Sequence, residues 1–357
     1  MNRSDTVGNA RVTLFSPKIE ELLRARRGAT VFRIDGDTVG VTDPKLFNKL
    51  LESRAAHEFE RPTFKPLQGR SIERATANEV LRAVSHDVRT ALSGPPLDSV
   101  DLSGIWPRAG HVYLRDLLFG PDPLRFRVLI DHRLEKSAAL TRALIRASAA
   151  LPGTPGVAPP VSRLAARTVD AAVAAENGND RRFALGLYRR VAAPICLGVA
   201  ALVTNALWLG APFRTDASSR HIVYESLRLL PPSWNILRAA SPEFAALDAR
   251  IGPGDDVLLL PLLTHRDPEL WPDPDDFRPE RWHDLDPEDH PGYCPFGHAS
   301  DRCRGRHLIV PLAEHLLDRI RADGLTVSPE QTTARVRLAG LLAVERVRVT
   351  RTRLAHT

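Results

Sequence analysis

The chain has 357 residues, of which 43% are hydrophobic and 26% charged, so its composition is globular and excludes a wholly disordered or fibrous protein. The net charge is +6, but no run of five like charges occurs, which argues against a nucleic-acid partner. Three cysteines are too few for a disulfide scaffold, and residues 1–11 lack the apolar segment of a secretory signal. These features predict a cytoplasmic protein, and the preference for arginine over lysine is typical of a GC-rich bacterial genome.

The first elements of the chain are predicted to be β-strands. Residues 30–34 and 38–41 are separated by the turn sequence Asp-Gly-Asp, and this pattern predicts a β-hairpin. Asp43 and Pro44 follow as an N-cap and a first-turn proline. They predict a helix that continues to about Glu52.

Helical periodicity dominates the middle of the chain. It extends from Ser71 to about Leu151, with breaks at residues 94–96 and 120–123. After these come a proline-rich loop at 151–160, helices at 161–175 and 181–208, and a helix that Ser218 or Ser219 caps and that ends at Leu230.

The C-terminal third mixes both kinds of element: a strand at 257–260, an acidic irregular segment at 268–291, a helix from about 304 to 322 and a β-hairpin at 334–353. The chain is therefore predicted to be mostly α with small β-sheets (α+β). We expect a single domain over residues 1–357, with a β-rich part at about 28–60, a helical body at about 71–232 and a C-terminal part at about 251–357.

One uncharged segment, residues 191–213, is long enough to cross a membrane. It is rich in alanine, contains Pro194 and Asn205, and has no second such segment to accompany it. A helix buried through the centre of a large domain gives the same pattern. We therefore predict a buried central helix and no membrane partner.

A cysteine near the C-terminus has the surroundings of a reactive thiolate. Cys303 lies on a loop directly before an amphipathic helix, where backbone N–H groups and the helix N-terminus stabilise negative charge. Gly297 and Gly305 allow the backbone to lie against a planar ligand. Arg302, Arg304 and Arg306 add positive charge.

Two other interpretations of this loop are a structural buried cysteine and a zinc site. Cys294, His298, Cys303 and His307 are all of metal-ligand type. Their spacing, however, lacks the two close ligand pairs, separated by a dozen or more residues, that structural zinc sites usually show.

A possible charge network accompanies the cysteine loop. Glu225 and Arg228 share one helix face at i,i+3, and Arg281 lies downstream in the sequence Phe-Arg-Pro-Glu-Arg-Trp. An isolated pair of this kind is common on surface helices. The three features occur in a fixed order along the chain: first the pair, then the third charge, then the cysteine loop. This order is more informative than any single residue.

These three motifs resemble those of the cytochrome P450 family of haem-thiolate enzymes. The likeness extends from about Thr30 to Leu342 and is most specific in the C-terminal half. The resemblance implies a single P450-like domain with a long buried central helix. It also implies haem b as cofactor and Cys303 as the axial ligand of the haem iron.

Further roles follow from the same resemblance. Glu225, Arg228 and Arg281 are expected to hold the fold behind the haem as a structural network. The residues implied in cofactor binding are Cys303, Phe296, Gly297, Arg302, Gly305 and Arg238, the last of which aligns with a strand arginine that binds a haem propionate.

The sequence departs from the family pattern in its central helix. Family members carry an acid–alcohol pair there for proton delivery, but alignment on Asn205 places Ala201 and Leu202 at those positions. Thr204 and Asn205 are the only polar candidates, so they are weak predictions for catalytic residues.

Other departures concern the haem loop and the length of the chain. Ala299 replaces a glycine of the haem loop, and Asp301 replaces a basic residue. A haem-clamp segment is missing between Gly69 and Glu73, and a helix is shortened between residues 209 and 219.

The leading hypothesis is a monooxygenase-like haem-thiolate oxidoreductase of bacterial specialised metabolism, acting on a hydrophobic small molecule. A ferredoxin-type acidic redox partner would be steered by the arginines near Cys303. One alternative is a haem enzyme doing peroxide-driven or redox-neutral chemistry. Another is a catalytically silent partner protein or remnant that supports another biosynthetic enzyme. The residues expected to line the substrate pocket are Val199, Ala201, Leu202, Leu230, Trp234 and Asn235.

Overall fold

The computed structural model describes residues 11–53, 74–94, 100–119, 181–298, 302–303, 305–337 and 341–351. Its helices are α1 (Pro17–Ala25), α2 (Pro44–Glu52), α3 (Arg74–Ser93), α4 (Arg108–Phe119), α5 (Arg181–Gly210), α6 (Ser219–Leu229), α7 (Pro242–Leu247), α8 (Pro261–Thr264) and α9 (Arg306–Ala322), with a 3-10 helix at Pro279–His283. Its strands are β1 (Val12–Leu14), β2 (Val31–Arg33), β3 (Thr38–Val41), β4 (Gly104–Trp106), β5 (Ile236–Arg238), β6 (Asp256–Leu259), β7 (Leu325–Val327), β8 (Thr333–Arg337), β9 (Ala343–Val344) and β10 (Val347–Arg351). The predicted fold class is confirmed.

The N-terminal hairpin and the helix after it form as predicted. Strands β2 and β3 pair antiparallel, with Val31 opposite Val41. The Asp43 carboxylate accepts a hydrogen bond from the Leu46 N–H at 2.6 Å, so it caps α2. Helix α2 then buries Phe47 and other apolar side chains against the sheet.

Three small sheets surround the helical core. The first has the strand order β2-β3-β6-β5, the second β4-β10-β7 and the third β1-β8-β9. Strands β3 and β6 pair in parallel, and β5 joins the free edge of β6 antiparallel. The first sheet therefore places β5 and its Arg238 at an edge.

The predicted C-terminal hairpin at 334–353 is wrong in part. Strands β8 and β9 pair antiparallel, but β10 leaves them and pairs with β4 and β7 in another sheet. Alternation of apolar residues shows that a strand has one buried face, but it does not identify the neighbouring strand. Strands β1 and β4 were not predicted, because three residues are too short to show a period, and β4 interrupts the predicted helical body.

Helix α5 is the long buried central helix. Its residues 199–208 are all buried, and it packs against α3, α4, α6 and α9. A helix that is apolar on every side is stable only when other elements surround it, which explains the absence of charge from this segment. None of the described helices is both long enough and apolar enough to cross a lipid bilayer.

The C-terminal end of α5 is capped by an arginine from the N-terminal region. The Arg11 guanidinium donates to the carbonyl oxygens of Leu207 at 3.1 Å and Trp208 at 2.8 Å, and also to that of Ala211. Because the last carbonyls of a helix lack intrahelical partners and carry partial negative charge, the contact stabilises this end. Residues 211–218 connect α5 to α6.

Several predictions lie outside the described residues. These are the loop at 151–160, the helix at 161–175 and the missing segment between Gly69 and Glu73. The departures at Ala299 and Asp301 also lie outside them.

Candidate functional site

The Glu225 carboxylate on α6 is the centre of a buried network. Its Oε1 accepts hydrogen bonds from Arg228 Nη2 at 2.7 Å and Arg281 Nε at 3.0 Å. Its Oε2 accepts from Arg228 Nε and Trp282 Nε1, both at 3.0 Å, and the Arg278 N–H adds a further bond to Oε1. Both Glu225 and Arg228 are 0% exposed. The structure thus brings together the three residues that the sequence singled out.

Arg228 uses its other donors on backbone carbonyls of the following segment. Its Nη1 donates to the carbonyls of His265 at 2.8 Å and Pro274 at 2.7 Å, and its Nη2 donates to that of Asp276 at 2.9 Å. The guanidinium also lies 5.2 Å from the centre of the Trp271 ring. Because the ion pair is fully hydrogen-bonded, both charges are compensated although no water reaches them.

The cysteine loop runs between this network and α9. The Cys303 N–H donates to the Phe296 carbonyl at 2.7 Å, and the Gly297 N–H donates to the Cys294 carbonyl at 3.1 Å. Gly297 has a φ of 77°, a conformation that glycine adopts without strain. Gly305 precedes the first residue of α9, so Cys303 lies just before a helix N-terminus.

The cysteines of the loop differ in their surroundings. Cys303 is exposed, whereas Cys294 packs against the cluster formed by α2 and the first sheet. Burial raises the pKa of the Cys294 thiol to about 12, which keeps that group protonated. All three cysteines lie in the described part of the chain, and none forms a disulfide.

The four residues of the zinc alternative do not gather into a site. His298 Nε2 lies 3.1 Å from Glu52 Oε1, and His307 is exposed. Within the described residues, no three His, Cys, Asp or Glu side chains are arranged to hold a metal ion. The described residues therefore do not give Cys303 the two further protein ligands that a zinc site would need.

The space beside the Cys303 sulfur depends on Gly305. A Cβ at position 305 would lie 3.7 Å from Cys303 Sγ and 3.7 Å from Ile309 Cδ1. A methyl group at this position would therefore lie in van der Waals contact with the sulfur. The Nε atoms of Arg302 and Arg306 are buried and have no hydrogen-bond partner among the described residues. An exposed thiol close in sequence to arginines with unpaired Nε donors fits a cofactor that offers a metal and carboxylates.

The predicted arginines of the site have other partners as well. Arg302 Nη1 lies 2.7 Å from Glu288 Oε2, and Arg306 Nη1 donates to the Cys303 carbonyl at 3.3 Å. Arg238, on edge strand β5, donates from Nη1 to the Leu237 carbonyl at 3.2 Å. The positive rim predicted around Cys303 is therefore partly neutralised by the acidic segment.

The polar residues of the central helix make structural bonds. Thr204 Oγ1 donates to the Ala200 carbonyl at 2.6 Å. Asn205 Nδ2 donates to the carbonyls of Leu230 and Leu342 at 3.1 and 3.3 Å, and its Oδ1 accepts from the Val344 N–H at 2.9 Å. Asn205 thus joins α5 to α6 and β9 through its side chain.

The residues predicted to line a substrate pocket have mixed environments. Val199, Leu202 and Leu230 are buried in one core cluster, and Trp234 packs against it. Ala201 is also buried, whereas Asn235 is only partly buried. Apolar side chains dominate this part of α5.

His265 was missed by the sequence analysis. Its ring is buried, with Nδ1 3.0 Å from the Arg228 carbonyl oxygen and Nε2 accepting from the Cys294 N–H at 2.9 Å. Trp282 was also missed, although its indole N–H reaches Glu225. The sequence offered one indication of a buried role for His265: it is a polar residue directly after the apolar segment that forms β6 and α8.

Comparisons with known proteins agree with this arrangement. The family described as Cytochrome P450 matches residues 220–309. Cyclooctatin synthase of Streptomyces melanosporofaciens is 37% identical over 91 residues, which are 25% of this chain and 20% of that protein. Cytochrome P450 3A15 of Cavia porcellus is 36% identical over 91 residues, 25% of this chain and 18% of that protein. The match thus spans only about a fifth of these relatives.

Solved structures match over most of the chain. A mutant of P450 EryK in complex with erythromycin B has a TM-score of 0.56 and 15% identity, covering 92% of this chain and 94% of that one. A structure of unusual cytochrome P450-like monooxygenases involved in microbial secondary metabolism has a TM-score of 0.58 and 15% identity, covering 93% and 98%. These structures show the cytochrome P450 fold. The family match is confined to residues 220–309 of this chain, so the resemblance in sequence rests on that part and the resemblance in fold on the whole.

Proposed function

We propose that the protein is a haem-thiolate oxidoreductase of the monooxygenase type, with haem b held by Cys303. The observation that carries this proposal is the exposed Cys303 just before a helix N-terminus, on a loop whose Cys294 amide is bonded to His265 and through it to Arg228 of the buried network. An exposed sulfur on an anchored loop suits a metal ligand. The raised pKa of Cys294 makes that thiol the poorer donor.

Haem, when bound, supplies a redox-active iron whose reactivity is set by its thiolate ligand. The chain's own residues would hold it: the Cys303 sulfur as ligand, Phe296 and Gly297 beside the ring, and Gly305 leaving the sulfur uncovered. Arg238 and Arg302 offer guanidinium donors to the propionates. The charge network would fix the loop from behind, so that the sulfur does not move when the cofactor's charge changes.

A hydrophobic small molecule is the proposed substrate. Val199, Ala201 and Leu202 make this part of α5 apolar and are buried in the structure, and a pocket that opened beside them would favour an apolar ligand. The family relatives include Cyclooctat-9-en-7-ol 5-monooxygenase of Streptomyces melanosporofaciens, 39% identical over 94 residues. That relative supports a place in bacterial specialised metabolism.

The proposed electron donor is a small acidic protein of the ferredoxin type, which would approach the arginines beside Cys303. Arg302 is paired with Glu288, which weakens but does not remove its attraction for such a partner, and Arg306 adds a second positive charge. We place the protein in the cytoplasm, since Cys294 and Cys303 are both free thiols.

The test is the spectrum of the reduced protein with carbon monoxide, measured on wild type, Cys303→Ser and Cys294→Ser. Wild type and Cys294→Ser are expected to show the Soret shift of a thiolate ligand, and Cys303→Ser is expected to lose it. Equal loss in both variants, or a thiolate spectrum in Cys303→Ser, would contradict the proposal.

A second candidate function is a catalytically silent partner of another biosynthetic enzyme. It is favoured by the short 211–218 connection and by the absence of any acid in the central segment, residues 191–213. Haem-free wild-type protein that is folded and stable would support it. If haem is bound but electron delivery yields no oxidation, peroxide-driven or redox-neutral chemistry becomes the better description.

A further inference from the structure

The His265 side chain lies between the charge network and the cysteine loop. It follows α8 and is 0% exposed. The Arg228 carbonyl oxygen lies 3.0 Å from Nδ1, and the Cys294 N–H donates to Nε2 at 2.9 Å. A carbonyl can only accept and an N–H can only donate, so a single form of the ring satisfies both partners: neutral, with its hydrogen on Nδ1.

The backbone of His265 reinforces this position. Its carbonyl accepts from Arg228 Nη1 at 2.8 Å, so the same residue binds Arg228 through both side chain and main chain. The ring also stacks on Tyr293, with ring centres 5.4 Å apart and planes at 30°, and the Tyr293 hydroxyl donates to the Tyr224 carbonyl at 3.1 Å. The start of the cysteine loop is therefore held against α6.

Backbone hydrogen bonds continue from this point to Cys303. The Cys294 carbonyl accepts from the Gly297 N–H at 3.1 Å, and the Phe296 carbonyl accepts from the Cys303 N–H at 2.7 Å. A displacement of the Cys294 amide would therefore change the turn that carries Phe296. That change would reach the Cys303 amide through a single further bond.

We propose that His265 is a positioning residue that couples the Glu225–Arg228 network to the Cys303 loop by accepting the Cys294 amide. The role rests on the proposed function of Cys303 as a haem ligand, but the coupling itself is a property of the protein. Burial and the nearby Arg228 lower the pKa of His265 to about 3, so the acceptor nitrogen stays unprotonated at neutral pH.

Two variants separate hydrogen bonding from packing. His265→Phe keeps an aromatic ring against Tyr293 but removes both bonds, whereas His265→Gln keeps one donor and one acceptor. Hydrogen exchange of the Cys294, Gly297 and Cys303 amides is measured at residue resolution. We expect exchange of the Cys294 amide to be about 5-fold faster in His265→Phe and within about 2-fold of wild type in His265→Gln. The matched control is His315→Phe, since His315 also contacts a tyrosine, through Tyr113, but lies on α9.

The second measurement is the fraction of bound haem that gives the thiolate-type carbon monoxide spectrum. This fraction should be lower in His265→Phe than in wild type and close to the wild-type value in His265→Gln. Equal perturbation by both variants would show a packing role and overturn the proposal, as would unchanged exchange in His265→Phe. Nitrogen NMR of histidine-labelled wild type keeps the proposal testable if His265→Phe does not fold. The signal that is present in wild type and absent from His265→Gln belongs to His265. It is expected to show a hydrogen on Nδ1, and a hydrogen on Nε2 would overturn the proposal. Haem-free wild type with the expected exchange pattern would refute the function of Cys303 while supporting the coupling.

Discussion

The region around Glu225 and the central helix around Thr204 use buried polar groups in different ways. Glu225 and Arg228 bind partners far along the chain, from His265 to Trp282, and so tie separate segments together. Thr204 bonds a carbonyl of its own helix, and Asn205 bonds backbone groups of neighbouring elements. The first region is built to hold a loop. In the second, the Thr204 hydroxyl is bonded within its own helix, and residues 191–213 contain no acid.

The difference indicates that holding a loop and delivering protons make different demands on buried polar groups. Anchoring a thiolate loop needs compensated buried charge, because an unpaired charge in the core is destabilising. Proton delivery needs a titratable group with access to the reacting atoms. The chain has the compensated charges that the first requires, and the alignment on Asn205 predicts Ala201 and Leu202 at the positions expected for the second.

The largest effect is expected from Arg228→Ala. This change leaves the Glu225 carboxylate buried without its bidentate partner, at a cost of about 3–5 kcal/mol in the free energy of unfolding. Denaturant unfolding and the haem content of purified protein are the measurements. Arg220→Ala is the control, because that arginine is on the same helix but exposed and paired with Glu314. A soluble, fully haem-loaded Arg228→Ala protein would contradict the assigned role of the network.

The expected role of the central helix in proton delivery is tested by adding an acid and an alcohol to it. The double variant Ala201→Asp with Leu202→Thr restores an acid and an alcohol, and a positioned proton donor typically contributes about 10²–10⁴-fold in rate. With ferredoxin-type electron supply, we expect the wild type to release much of its reducing equivalents as hydrogen peroxide and the double variant to release less. Leu202→Thr alone is the control. Efficient coupling in the wild type would show that another group supplies the protons.

Sequence patterns revealed the members of the charge network but not its full set of contacts. Glu225, Arg228 and Arg281 are recognisable because their residue types and order are local and unusual. The backbone donors and acceptors that complete the network come from segments that only the tertiary fold brings together. The same reason explains why His265 and the partner strands of β10 were missed.

The pH dependence of stability sharpens the comparison further. His265 has a pKa of about 3 in the folded protein against an ordinary value of 6.5, and the lowering comes from burial and from the charges of Arg228, Arg266 and His290. The unfolded chain therefore binds an extra proton between these values. The contribution of neutral His265 to the free energy of unfolding is therefore complete above pH 6.5 and is lost as the pH falls towards 3.

Unfolding curves at pH 7, 6, 5 and 4 measure this effect in wild type and His265→Gln. We expect the wild type to lose up to about 1.4 kcal/mol more per pH unit than the variant below pH 6.5. Other groups, such as Asp248, whose pKa is lowered to about 2 by the hydrogen bond from Arg250, act equally in both proteins and cancel in the difference. Parallel curves would show that His265 is accessible to protons in the folded state.

The smallest effect is expected at the rim of the cysteine loop. Arg302 and Glu288 form an ion pair in which the Glu288 side chain is 60% exposed, so its removal should cost less than about 1 kcal/mol. The larger effect of removing this ion pair is expected on the rate at which a ferredoxin binds. Glu288→Gln keeps the shape of the side chain but frees the charge of Arg302, so an acidic ferredoxin should bind faster at low ionic strength, and the gain should disappear as salt is added. Arg302→Gln should slow binding under the same conditions with little change in stability. If instead Arg302→Gln destabilises the protein as strongly as Arg228→Ala, Arg302 belongs to the structural core of the site and the ferredoxin must approach elsewhere.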